Sequence, residues 1–219
     1  MGHPVSLETA TGRIGGWRAD PAIPAKGALI VVQEIFGVNP HIRRVVERFA
    51  AHGFVTVAPA LFDHIEHHVE LGYDDHGIAR GRELAAHLGL ERAVDDVREV
   101  AEPLQHEGKV AVVGFCWGGT VALLANTRLG LPAVSYYGGR SVPFLHERLQ
   151  APMLFHFGEH DPLIPPEHVA LHREHHPEAS FHLWPAGHGF NCDERSDHDP
   201  DCAAAAMDHT VSFLTRHLR

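Results

Sequence analysis

Cysteine is scarce in this chain of 219 residues, with Cys116, Cys192 and Cys202 as its whole complement. A small, odd number of thiols argues against a disulfide framework, no C-x-x-C spacing marks a zinc site, and at least one thiol is left free. Basic residues are also in short supply: Lys and Arg total 18 against 28 for Asp and Glu, a formal net charge of −10. That balance argues against binding nucleic acid or an anionic membrane surface through bulk electrostatics, and leaves a small-molecule partner. Long apolar runs are missing too. No segment approaches the roughly 18 apolar residues that a membrane span needs. The leading MGHPVSLETATGRIGGW has neither an apolar run nor a charged first region, so it does not read as a secretory signal. A soluble, cytoplasmic protein is expected.

What is present is enough apolar material, 44% of the residues, to close one sizeable core, and a single domain over 1–219 is expected. Short β-branched runs bounded by Gly or Pro occur at 27–34, 54–59, 109–115, 131–138, 151–158 and 179–185. Most are apolar on both faces, the pattern of parallel strands covered by helices on each side. Helical periods fall between and after them, at 41–52, 78–87, 92–102, 119–129, 166–176 and 203–217. Strand followed by helix, repeated this often, predicts an α/β fold with a doubly wound, mostly parallel sheet flanked by helices and right-handed crossovers. The stretch 61–89 is the least regular and is expected to cap a pocket over the carboxyl ends of the strands.

One turn in this pattern carries chemistry. The valine run KVAVVGF leads into GGTVALLANTRL, so GFCWGG is a strand-to-helix turn with a cysteine at its apex. It fits G-x-C-x-G, a nucleophile elbow in which the apex residue is strained and the residues two before and two after it, here Gly114 and Gly118, must lack a Cβ. Cys116 is thereby presented at the top of the sheet beside a helix N-terminus, whose dipole and free N–H groups favour a thiolate. The plainer alternative is a small buried thiol in a Gly-rich turn.

A nucleophile needs a base, and the base needs an orienting acid. In this architecture they follow in the order acid, then histidine. Asp161 lies in EHDPLIP after one strand, and His188 in AGHGF after the next. Order and glycine flanks single out His188 from 21 histidines. For Asp161 the alternative is a turn or helix-capping aspartate. Glu34, at the end of a buried strand, must be satisfied or catalytic, the satisfied alternative being a salt bridge to Arg43 or Arg44.

From IVVQEIFGVN through VAPALF, GFCWGG and GEHDPLIP to AGHGFNC, the chain resembles the dienelactone hydrolase family of α/β hydrolases, which uses cysteine where most relatives use serine. The resemblance implies the α/β-hydrolase fold, a triad of Cys116, Asp161 and His188, and cleavage of a small ester or enol-lactone through an acyl-enzyme without a cofactor. It implies a role for Glu34 in generating the thiolate, and an oxyanion hole from the backbone of Ile35 and Trp117. The family's type substrate carries a carboxylate held by two arginines and a tyrosine. Arg80 or Arg82 falls in the region of one arginine. Cys192 stands where the other belongs, four residues after the histidine, and Arg195 is the nearest replacement. Tyr73 is placed to line the pocket mouth, with an exposed loop tyrosine as the alternative.

Two histidine groups, His64, His67 and His68 and then His172, His175 and His176, have spacings that could hold a divalent metal. No HExxH motif or accompanying carboxylate pattern goes with them, so no metal is expected. The expected assembly is a monomer or small homo-oligomer. The reading from another class is a non-catalytic protein that keeps this fold and holds a ligand or metal.

Overall fold

The valine-rich runs become strands because β-branched side chains suit a pleated surface packed on both faces. In the computed structural model, which describes residues 1–218, they build the centre of an eight-stranded sheet. Arg219, the last residue of the expected domain, lies outside the described residues. The central strands are β3 (Ala28–Val32), β4 (Val55–Pro59), β5 (Val110–Phe115), β6 (Ala133–Tyr136) and β7 (Met153–Gly158), each buried along its whole length. With β8 (Ser180–Trp184) at the edge, all of them pair in parallel. The remaining two strands, β1 (His3–Thr9) and β2 (Gly12–Ala19), form a hairpin that joins β4 antiparallel and gives the order β1-β2-β4-β3-β5-β6-β7-β8. The sheet is mixed and mostly parallel, as expected.

The hairpin is the element that the apolar-run reading passed over. Its outer strand alternates exposed and half-buried residues, and the partners Thr9 and Gly12 close it over a two-residue turn. Alternation Val5, Leu7 followed by Gly12 was the available signal.

Six α-helices follow the strands: α1 (Pro40–Ala51), α2 (Asp75–Leu88), α3 (Leu90–Leu104), α4 (Trp117–Leu129), α5 (Pro166–His175) and α6 (Pro200–Leu218). Several begin earlier than apolar periodicity predicts, because caps and prolines rather than apolar residues start a helix. Asn39 accepts from the Ile42 N–H ahead of Pro40, and Asp74 accepts from the Gly77 N–H, which starts α2 at Asp75 rather than at 78. The stretch 61–89 is thus more regular than expected: a 3₁₀ turn at Leu61–His64, then α2. No described helix is long and apolar enough to cross a membrane.

Candidate active site

The apex of the GFCWGG turn lies between β5 and α4, and its backbone is strained. Cys116 has φ 52° and ψ −114°, a region that non-glycine residues rarely occupy. The turn closes this tightly only because of its glycines. A Cβ on Gly114 would collide with the Gly118 carbonyl, and one on Gly118 would collide with the Gln33 carbonyl on the neighbouring strand's extension. Trp117 opens α4, so its N–H has no acceptor within the helix.

Two further loops at the carboxyl ends of the strands complete the arrangement. His188, after β8, places Nε2 3.2 Å from Cys116 Sγ and Nδ1 2.7 Å from Asp161 Oδ2. Asp161, after β7, also accepts from the Leu163 N–H at 2.8 Å, which holds the carboxylate in place. The turn aspartate and the histidine's partner are therefore one and the same residue. Burial by itself lowers the His188 pKa; the charges of Cys116 and Asp161 outweigh it and push it up to about 10. His188 and Asp161 are buried, whereas Cys116 is partly open to a cavity of about 270 Å³.

That cavity is lined by Cys116, His188, Trp117 and Ile35, by apolar Phe36, Ile78, Ala85 and Leu163, and by Arg82, Arg140 and Arg195. Among the described residues, no carboxylate lines it. Helix α2 forms one wall, and it sits close because Gly81 leaves no room for a side chain against the Ile35 carbonyl. The 61–89 stretch does cap a pocket.

Glu34 is buried and both of its carboxylate oxygens lack a hydrogen-bond partner. The salt bridges to Arg43 or Arg44 do not form, because Arg43 pairs with Glu70 and Arg44 with Asp193 and Glu194. The cation facing Glu34 is Arg195, at 3.8 Å. Burial, and after it the Glu34 charge, pushes the Cys192 thiol up to about 12 and raises the Tyr73 and Tyr137 hydroxyls. Cys192 is thus a neutral, buried neighbour of Glu34, and the cation on this loop that faces Glu34 is three residues on, Arg195.

The sequence-derived arginines divide. Arg82 lines the cavity from α2 and Arg195 lines it from the loop after β8, over the Tyr73 ring at 5.8 Å. Arg80 does not reach it: two residues before Arg82 on α2 it points to the opposite face, where it pairs with Glu66 and Glu83. Tyr73 is not in the lining either. Its ring packs on Phe36 and its hydroxyl accepts from Asn39 Nδ2 at 2.9 Å, so it supports Arg195 from behind. Arg140 was missed by sequence reasoning, although the Gly138–Gly139 pair after an apolar strand marks a turn at the carboxyl end of the sheet.

The histidine groups do not converge on a metal geometry. His64 bonds to Asp96, His67 lies near Asp63, His172 bonds to Ser141 and His176 is buried apart. Among the described residues, the group of three donors with atoms within 4.8 Å of one another is instead His41, Cys192 and Asp193. Asp193 there already engages His41, Arg44 and Arg48, which ties the His188–Arg195 loop to α1.

A sequence profile of the dienelactone hydrolase family matches residues 14–218. The carboxymethylenebutenolidase of Pseudomonas sp. strain P51 is 32% identical, with 92% of this chain and 91% of that protein covered. Carboxymethylenebutenolidase 1 of Cupriavidus pinatubonensis is 30% identical over 93% and 92%. A candidate dienelactone hydrolase of Klebsiella pneumoniae, solved by crystallography, superposes with a TM-score of 0.87 at 25% identity, covering 99% of this chain and 98% of that one. The family match spans nearly the whole chain, and the chain belongs to the dienelactone hydrolase family, a hydrolase of the α/β-hydrolase fold.

Proposed function

We propose that the chain acts, as one domain and as a monomer or small homo-oligomer, on a small ester or enol-lactone, with Cys116 as nucleophile, His188 as general base and acid, and Asp161 as the orienting carboxylate. The observation that carries this reading is the continuous contact from Asp161 Oδ2 through the His188 ring to Cys116 Sγ, at 2.7 and 3.2 Å, at the floor of the cavity. The His188 pKa is raised by the charges of Cys116 and Asp161, in keeping with a ring that accepts and holds a proton beside the sulfur. Glu34, both of whose oxygens lack a hydrogen-bond partner, is a free anionic acceptor in this neighbourhood, in keeping with a part in generating the thiolate.

The thiolate attacks the carbonyl carbon, and the oxyanion forms against the backbone N–H groups of Ile35 and Trp117. Collapse expels the alkoxide, which takes the proton from His188 Nε2 and leaves a thioester on Cys116. Water then loses a proton to His188, attacks the thioester and releases the acid and the thiolate. Arg82 and Arg195 are the arginines available to a substrate carboxylate, while Arg80 is committed to Glu66 and Glu83. Three free thiols are in keeping with a reducing compartment, the cytoplasm.

Cys116→Ala tests the assignment. Turnover of 4-nitrophenyl acetate should fall by about 10³-fold or more. Acid-quenched wild type should carry the acetyl group on the Cys116 peptide by mass spectrometry. Turnover that survives in the variant would remove Cys116 from the chemistry.

A further inference from the structure

The net charge of the chain is −10, yet the cavity at Cys116 is lined by three arginines and, among the described residues, by no carboxylate. Two of the three, Arg82 and Arg140, make no hydrogen bond or ion pair with any described residue. Most other arginines are matched to carboxylates, as Arg44 is to Asp193 and Glu194 and Arg128 to Glu91 and Glu147. Unmatched guanidinium groups facing one cavity are set for an anion from outside.

Their placement separates them into two sides. Arg195 stacks over Tyr73 and faces Glu34, which follows β3, and Arg82 rides on α2, whose Gly81 backs onto Ile35 just beyond that glutamate. Both belong to the β3 side of the nucleophile. Arg140 follows β6, and its neighbour Gly139 packs against Leu163 and Ile164, beyond Asp161 on the β7 side. Cys116, at the end of β5, stands between them in the order β3-β5-β6-β7. Strands lie about 4.8 Å apart, so the ends of β3 and β6 are separated by roughly 10 Å. One carboxylate seated against Arg82 and Arg195 leaves Arg140 for a second.

Building on the hydrolase reading above, we propose that Arg140 forms a second anion subsite, and that the substrate class is a dianionic ester or lactone with one carboxylate on each side of the scissile carbonyl. A guanidinium fork suits a carboxylate bidentately, and an exposed arginine at a cavity mouth both steers and selects such a substrate.

A set of four aryl esters tests this: phenyl butyrate, phenyl hemiglutarate, 3-carboxyphenyl butyrate and 3-carboxyphenyl hemiglutarate. The dianion should show the highest kcat/KM, each carboxylate adding about fivefold. Arg140→Gln should remove the gain from one carboxylate and Arg82→Gln the gain from the other. Arg148→Gln, which makes the same charge change at an exposed site outside the cavity lining, should remove neither. Gains untouched by Arg140→Gln, or lost equally in Arg148→Gln, overturn the proposal. Absence of turnover with all four esters would instead defeat the hydrolase reading. Titration calorimetry with pimelate and heptanoate then reads the subsite without chemistry: tighter pimelate binding in wild type but not in Arg140→Gln upholds it, and equal binding of the two ligands in wild type overturns it.

Discussion

Of the histidine–aspartate pairs in this molecule, His188–Asp161 and His64–Asp96 make the sharpest contrast, because only the first faces the Cys116 thiol. His188 bonds to Asp161 at 2.7 Å; His64, in the turn before α2, bonds to Asp96 of α3 at 3.0 Å. Both aspartates are buried. The difference lies in what occupies the remaining valences. Asp96 also accepts from Arg92 Nε at 3.0 Å, and Arg92 Nη2 lies 3.2 Å from the same ring nitrogen of His64. That carboxylate is neutralised by a cation, and the group ties α3 to the Leu61–His64 turn. Among the described residues no arginine pairs with Asp161, which accepts from the Leu163 N–H and faces the imidazole, whose second nitrogen meets Cys116. On the function proposed above, the His64–Asp96 contact, completed by a permanent cation, is a support, and the His188–Asp161 contact, completed by a thiol and a cavity, serves proton transfer.

Charge removal at each aspartate should sharpen this contrast most. Asp161→Asn should keep the fold and lower kcat by about 10² to 10⁴, because the imidazole is then held in the wrong tautomer. Asp96→Asn should leave kcat within about twofold but cost on the order of 2 kcal/mol of stability, since Arg92 loses its buried partner. Ester kinetics and denaturant midpoints on both variants read the two effects, and equal losses of kcat would erase the distinction.

A smaller effect follows from pH. The folded His188 pKa, about 10, lies above its ordinary value of about 6.5, so the protonated ring favours the folded state. The contribution is fully present below about pH 6.5 and is lost as pH rises through about 10. Wild type should exceed His188→Gln in stability by on the order of 2 kcal/mol more at pH 6.5 than at pH 10.5, by urea denaturation. A gap that widens with pH would reverse the assignment.

The mildest test concerns the thiols. Cys116 is partly exposed and faces His188, whereas Cys192 and Cys202 are buried, with pKa values pushed up to about 12 and about 11. Brief iodoacetamide treatment followed by peptide mapping should find Cys116 modified at least about tenfold faster. First modification at Cys192 would move the reactive thiol to the wrong side of Glu34.

Local features of the sequence determined a good deal. Short β-branched runs such as ALIVV and VAVVGF suit strands covered on both faces, which points to a parallel sheet with helices around it. The elbow is equally local, since Gly114 and Gly118 leave space that no other residue would, and strain at Cys116 follows from that closure. The order Cys116, Asp161, His188 was visible because each lies just past an apolar run. The hairpin at the other edge of the sheet escaped notice because half of its residues face solvent and its apolar signal is weak.

Only the tertiary structure decided which charges meet. Arg80 and Arg82 are two residues apart, yet the helix turns one to Glu66 and Glu83 and the other to the cavity. Glu34 faces Arg195, 161 positions away, rather than its sequence neighbours Arg43 and Arg44, and Arg140 reaches the same cavity from a third loop. Ion pairing depends on distances of a few ångströms between side chains carried by separate elements, and packing of the whole sheet sets those distances. Strand and turn are encoded within a few residues; the partner of a charge is not.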